Sequence, residues 1–328
     1  MQFSIGIDVS KDTLDVSLFD GDKFTNKHFK GNHIKAFKNI IKSFGINKET
    51  TLITMEATGI YSHQAAHFFF EQGFKVAVVN PLQTKRFAQM LLTRVKTDKA
   101  DAQTIARFGY QQKPKLFQPR PKQREQLIQL LRAADNLEET RIQFKNRIYA
   151  LNKHSDPSLT PILHYKNLLD ALDSELHLIR KKIQKCIQEY ASEEQYLIQS
   201  IPGVGPRISS AMIAFFGDFK DFETANQAVA FVGINPNPRT SGSSIRKASS
   251  ISKKGPGYLR KVLYMGTLSA SRYNPICKAL YQRLIQAGKP KKVALIAVAN
   301  KMMRQIFAVV KHKRPFDPDY VKSQTNLA

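Results

Sequence analysis

From Lys122 to Lys153 the apolar residues recur as Leu127, Leu130, Ala134, Leu137, Phe144, Ile148 and Leu151. The steps of three, four, three and then seven mark a heptad seam, which only a long helix can present on one side. Arg141 is the one charged interruption. The segment SDPSLTP (155–161) breaks this helix, and a second helical stretch follows with Leu168, Leu172, Ile179, Ile183, Cys186 and Tyr190. Together they read as an antiparallel helical hairpin, or as an arm that pairs with another subunit; plain scaffolding is the ordinary alternative. So long a helical pair divides the 328 residues into three parts, 1–112, 113–198 and 199–328.

The first part reads differently. FSIGIDV (3–9) and TLDVSLF (13–19) alternate or run apolar like paired strands, and a third strand is expected near 23–29. A helix is expected over 33–44. LITMEAT (52–58) and KVAVVN (75–80) read as buried strands, with helices over 61–72, 82–92 and 98–109. Strands first, then strands alternating with helices, give an α/β domain around a mixed sheet. It ends near the proline-rich KPKLFQPRPK (113–122). The part after 199 looks mainly α-helical, with a polar loop over 234–257 and helices over 258–271, 275–287 and 291–311.

A hydrophobic content of 42% fits a folded globular chain. The formal net charge is +25, and no acid occurs between Glu223 and Asp317. Self-repulsion of this size opposes compactness, so a polyanionic partner is the economical reading, and nucleic acid is the usual one. Cys186 and Cys277 stand far apart without ligand-like neighbours, which fits a reducing cytosol. The start lacks the layout of a signal peptide, and VALIAVAN (293–300) is soon broken by Lys301 and Arg304. The expectation is a cytoplasmic protein that acts on nucleic acid and does not enter a membrane.

Against that basic background a few acids stand out. Asp8 sits amid Ile5, Ile7 and Val9, where an unpaired buried carboxylate is costly. Glu56 ends the buried strand LITMEAT. Asp98 and Asp101, in KTDKADA, share one face of a helix. Four carboxylates at one spot would repel unless a cation lay between them, and hard oxygen ligands suit Mg²⁺ or Mn²⁺. Two such ions polarise a phosphodiester. Each acid also has a bland reading: Asp98 as a helix N-cap, Asp101 at the positive end of the helix dipole, Glu56 as a strand-end residue. The neighbouring Asp12, Asp15, Asp20 and Asp22 read as turn or exposed-face acids.

Taken together, GIDVSKD, MEATGIY and KTDKADA resemble the RuvC-like (ribonuclease H-like) domain of the DEDD-type insertion-sequence transposases. That family includes the pilin-gene invertases and the bridge-RNA-guided recombinases. The resemblance implies metal ligation by Asp8, Glu56, Asp98 and Asp101, with Mg²⁺ expected and Mn²⁺ an alternative. It extends to the helical part as a coiled-coil arm, and to 199–328 as the family's transposase domain.

The last part holds FVGINPNPRTSGSSIRKASSISKKGPGYLRKVLY (231–264). Its turn formers, hydroxyls and basic residues are what a phosphate backbone needs, so its chemistry alone reads as a basic loop lying along DNA. The block G-x-x-P, SGSS, ISK-x-G and L-R-x-x-L-Y resembles the end of the same transposases. That resemblance makes Ser241 the nucleophile, with Thr240, Ser243 and Ser244 as neighbouring candidates. Arg239, Arg246, Lys247, Lys253 and Lys254 are expected on phosphates. IPGVGPRIS (201–209) looks like a helix-hairpin-helix turn, in which Gly203 and Gly205 let the backbone approach a phosphate; a tight turn without a ligand is the plain alternative.

The resemblance implies a site-specific recombinase that cuts and rejoins DNA through a phosphoserine link. It implies donor and target DNA as substrates, a bridge RNA as guide, and a dimer of dimers whose active site is shared between protomers. The alternatives are a metal-dependent hydrolytic nuclease or junction resolvase, a recombinase that needs no RNA, and a nucleic-acid-binding protein without activity.

Overall fold

The computed structural model describes residues 2–92, 97–241 and 245–319, and for 238–249 the backbone alone where it is described. The chain divides into two compact units, Met1–Pro119 and Arg120–Ala328.

The first unit is built on a five-stranded sheet in the order β3-β2-β1-β4-β5. Strands β1 (Phe3–Val9), β2 (Thr13–Phe19) and β3 (Phe24–Lys30) run antiparallel to one another. Strands β4 (Thr51–Glu56) and β5 (Lys75–Val79) continue the sheet in parallel from β1. The mixed sheet expected from the sequence is therefore present. Side chains alternate across a strand, so each strand serves two layers. Ile5, Ile7 and Val9 pack with Ala36, Phe37 and Ile40 of α1 (Ile34–Phe44) and with Ala65, Ala66 and Phe69 of α2 (Ile60–Glu71). The opposite face, carrying Ser4, Gly6 and Asp8, is covered by α4 (Asp98–Gln112). Helix α3 (Pro81–Met90) starts from an Asn80 capping box beside β5 and packs Phe87 edge-on against Phe108 of α4.

How closely α4 lies on the sheet is set by two glycines. A Cβ on Gly6 would come 2.2 Å from the Ala102 carbonyl oxygen, and one on Gly109 would come 2.1 Å from Thr54 Oγ1. Both values are far inside van der Waals contact, so only hydrogen fits at either position.

The second unit is helical apart from one ribbon. Helices α5 (Lys122–Leu151) and α6 (Leu159–Tyr190) form an antiparallel hairpin. Phe144 meets Tyr165, Arg141 pairs with Asp173, and Glu138 pairs with Arg180, so positions advance on one helix as they retreat on the other. The charged interruption in the seam thus finds an acid on the facing helix. At the base of the hairpin Leu127, Ile128, Leu131, Ile183 and Ile187 join the core of the unit. That core is completed by α7 (Ser192–Gln199), α8 (Pro206–Phe216), α9 (Ala225–Val232), α10 (Gly257–Tyr273), α11 (Pro275–Gln286) and α12 (Lys291–His312). Buried Arg124 donates from Nε to the Ala214 carbonyl and from Nη2 to that of Phe215, capping the end of α8.

By length and composition α12 is apolar enough to cross a membrane. Leu295, Val298, Met302, Met303 and Ile306 are buried in the core of the unit, however, and a core helix passes the same test.

The stretch expected as a polar loop contains two strands. β6 (Pro236–Ser241) and β7 (Ile245–Ile251) pair antiparallel, with a register shift between Asn237 and Arg239. Prolines and hydroxyls hide the strand pattern here. Proline is tolerated on an edge strand, and both strands of a two-stranded ribbon are edges.

Candidate functional site: a carboxylate cluster and a serine ribbon

The acids of the first unit gather through register. Gly6 lies under Ala102 and Ala106, while Gly109 lies over Ser4 and Thr54. Helix α4 therefore runs along β1 from the Asp8 end toward the Ser4 end, and its first turn, with Asp98 and Asp101, falls toward Asp8. On β4, Thr54 faces α4, so Glu56, two residues on, faces the same way. Thr97, not Asp98, is the N-cap of α4: its side chain accepts from Ala100 N at 3.2 Å, and Asp98 is the first helical residue. Both aspartates sit in the first turn, where the helix dipole favours negative charge.

The electrostatics report the same convergence. Burial, and then repulsion from Glu56, Asp101, Asp98 and Asp15, push the Asp8 carboxyl up to about 6 from its ordinary 3.8. An all-carboxylate donor set whose members repel one another suits a hard divalent cation. Among the described residues, no three or more His, Cys, Asp or Glu side chains are arranged to hold a metal ion as they stand.

Two features of this site were not read from the sequence. Asp15 is the cross-strand partner of Asp8, so the two point to the same face, and its carboxylate is 3.0 Å from His28 Nδ1. It is not a turn or exposed-face acid. The turn Ser10–Thr13, closed by Ser10 N donating to Thr13 O at 3.1 Å, carries the signal, since it sets Val9 opposite Leu14 and Asp8 opposite Asp15. The second feature is Thr84, buried on α3, whose hydroxyl donates a short hydrogen bond to Glu56 Oε1. A threonine on a helix gives no such signal in sequence.

In the second unit Ser241 ends β6 opposite Ile245, Arg239 stands opposite Lys247, and Thr240 opposite Arg246. Ser243 and Ser244 lie outside the described residues. The ribbon is fastened at its base. Ser252 N donates to Asn235 O at 2.9 Å and Lys253 N to Gly233 O at 3.0 Å. Arg260 Nη1 donates to the carbonyls of Val232, at 3.1 Å, and Gly255, at 2.5 Å. A Cβ on Gly255 would come 1.7 Å from Phe231 O. The glycine of ISK-x-G and the arginine of L-R-x-x-L-Y thus hold the two ends of the ribbon together. Lys253 and Lys254 are exposed beside this closure.

The hairpin turn gives its two glycines different surroundings. Gly203, at φ +93°, would press a Cβ to 2.6 Å from the Ala270 backbone, so it serves the packing of α10. Gly205 precedes α8 and has nothing within 4 Å of its Cβ position. Of the pair, Gly205 has open space before a helix N-terminus.

Comparison with known proteins places the chain among transposases. Residues 5–153 match a family described as Transposase, of the DEDD type found in IS110 elements, and residues 195–282 match the Transposase IS116/IS110/IS902 family. The chain is similar to the pilin gene-inverting protein of Moraxella bovis, with 31% identity over 322 residues, 95% of this chain and 97% of that one. The Moraxella lacunata protein of the same name matches over the same lengths at 31%. The transposase for insertion sequence element IS1111A of Coxiella burnetii is 25% identical over 294 residues, 80% of this chain and 79% of that one. A DEDD-type family implies dependence on a divalent metal and action on DNA. With relatives aligned over nearly its whole length, the chain belongs to the IS110-type DEDD transposase family and is a DNA transposase/recombinase.

Proposed function

We propose that this transposase is a site-specific serine recombinase that mobilises an insertion sequence under the guidance of a bridge RNA. The observation that carries the reading is geometric: strand register sets Asp8 and Glu56 on one sheet face, and α4 lies along that face with Asp98 and Asp101 in its first turn at the Asp8 end. In this reading residues 1–112 form a RuvC-like domain in which Asp8, Glu56, Asp98 and Asp101 hold Mg²⁺, with Mn²⁺ as a substitute. Bound there, the cation would polarise a phosphodiester and steady the charge on its attacking and leaving oxygens. Thr84 orients Glu56 by its hydroxyl.

Residues 199–328 form the transposase domain that presents Ser241. Its Oγ attacks the phosphorus and gives up its proton, and the bond from phosphorus to the sugar oxygen breaks. That oxygen leaves as a hydroxyl, and the phosphoserine ester keeps the bond energy for rejoining. Attack by a sugar hydroxyl of the other duplex reverses the step and frees the serine. Arg239, Arg246, Lys247, Lys253 and Lys254 contact phosphates, and Gly203 and Gly205 let the backbone of the hairpin turn approach a phosphate. Residues 113–198 form a coiled-coil arm. Exposed Ile142, Tyr149, Leu163, Leu168 and Leu178 give it apolar surface for pairing into a dimer of dimers. The work is done on bacterial DNA in the cytoplasm.

The decisive experiment compares wild type with Ser241→Ala in cells carrying the element's own flanking DNA. An SDS-resistant protein–DNA adduct is expected in wild type and absent in the variant. Equal cleavage in both, without an adduct, would replace this reading with a metal-dependent hydrolytic nuclease. Ribonuclease treatment of the purified complex tests the guide: a guided enzyme stops cutting, and an unguided one does not.

A further inference from the structure

We propose that the groove between α11, α12 and the base of the serine ribbon is a binding site for an unpaired DNA strand. The groove encloses about 700 Å³, within the roughly 300–1,000 Å³ of sites that enclose small ligands. Its floor is apolar: Ile234, Ile251, Leu280, Val293 and Ile296. Its rim is basic: Lys292 at one end of the α12 face, Lys301 and Arg304 at the other.

Helix α12 shows why the surface is open. Ala294, Leu295, Val298, Met302 and Ile306 bury one side of it. Val293, Ile296, Ala297, Asn300, Lys301 and Arg304 recur at steps of three and four along another, all lining the groove. Val293 is 52% exposed. The face from Val293 to Arg304 is about 16 Å long at 1.5 Å per residue.

Among the described residues, no ion pair holds Lys292, Lys301 or Arg304 of the rim. Arg304 donates from Nη2 to Asn226 Oδ1 at 2.6 Å and from Nε to Asn300 Oδ1 at 2.8 Å, both neutral partners. No acid lines the groove, and the sequence holds none from 224 to 316. The cavity of about 430 Å³ between α5, α6, α8 and α10 is the contrast. There Asp135 already pairs with Arg207, and Glu138 with Arg180. Such a site has spent its cations internally; the groove on α12 has not.

A basic rim alone would suit duplex DNA, which offers phosphates and keeps its bases stacked. An apolar floor between basic ends matches a strand whose phosphates reach the rim while an unstacked base lies on the floor. The choice of DNA rests on the reading of Ser241 as nucleophile. Pro236, Ser250 and Ile251 of the ribbon wall the groove. From Pro236 to Ser241 the strand rises about 17 Å at ~3.3 Å per residue. A strand held in the groove is thereby led along the ribbon toward the serine.

The test uses full-length protein carrying Ser241→Ala, so that binding is read without cleavage. Short fluorescein-labelled single-stranded DNA, the same sequence as duplex, and the same sequence as RNA are titrated by anisotropy. Adding Val293→Glu is expected to weaken single-stranded DNA at least about tenfold, because a like charge faces the phosphates, and to leave duplex affinity unchanged. Adding Lys292→Gln is expected to lower the log–log salt slope for the single strand by about 0.7, the value of one phosphate contact. Unchanged single-strand binding in both variants overturns the proposal, as does equal weakening of duplex. A loss confined to RNA overturns the assignment to DNA. None of these outcomes depends on an adduct forming, so the groove and the serine mechanism fail separately.

Discussion

Asp8 stands in the middle strand of a five-stranded sheet under a close-packed helix, whereas Ser241 ends a strand that pairs with only one other. The carboxylates are placed by the backbone itself: register sets Asp8, Asp15 and Glu56 on one face, and two glycines let α4 bring Asp98 and Asp101 toward them. The serine ribbon is held at its base by Arg260, Gly255 and two backbone bonds. A metal site needs several ligands fixed at once, which a layered sheet and helix supply. The proposed nucleophile would instead be carried by a two-stranded ribbon fastened at its base.

The sharpest way to break this comparison is Asp8→Asn. DNA cleavage is expected to fall at least about a thousandfold, on the order of 4 kcal/mol, in a metal-titrated assay. Gly6→Val attacks the scaffold of the acids instead. It forces α4 off the sheet and is expected to cost about 3 kcal/mol in urea unfolding of the first unit's transition, with loss of cleavage. Arg260→Ala frees the Val232 and Gly255 carbonyls, at an expected cost of about 2 kcal/mol in the second unit's transition. Cleavage should drop while Mg²⁺ binding by calorimetry is unchanged; a parallel loss of Mg²⁺ binding would show that the two regions are not independent. Thr84→Val removes the hydroxyl on Glu56 and should raise the Mg²⁺ concentration for half-maximal cleavage about tenfold, with little change in the maximal rate.

The smallest effect is in pH. Asp8 has a folded pKa of about 6 against 3.8 unfolded. The folded state therefore binds more protons in this window, and stability falls as pH rises from about 4 to 6. In the metal-free chain Asp8→Asn should flatten that fall and be the more heat-stable form at neutral pH. A steeper fall in the variant would mean that Asp8 is not the strained group.

Much of this was written locally. Alternation in FSIGIDV and TLDVSLF, the heptad steps after Lys122, and the acids of GIDVSKD, MEATGIY and KTDKADA are short-range patterns that fix element type. They placed β1, β2, β4, β5 and the long helices within a few residues of their observed ends. The acids of α4 were legible for the same reason, since i and i+3 share a helix face whatever the fold.

What the sequence could not state are distances between residues far apart along it. That Asp15 faces Asp8 follows from strand register, and that Thr84 meets Glu56 follows from where α3 settles, 28 positions further along the chain. The ribbon over 236–251 escaped because its pairing is non-local and its prolines sit on edges that tolerate them. Gly203, expected at a phosphate turn, also packs against Ala270 of α10, 67 positions later along the chain, a contact that no local pattern announces. The sequence by itself determined the strands of the first sheet, the long helices and the acids that resemble the family's, because these patterns depend on neighbours a few residues away. Tertiary structure alone decided which of those side chains meet, because close approach depends on how sheets and helices settle against one another.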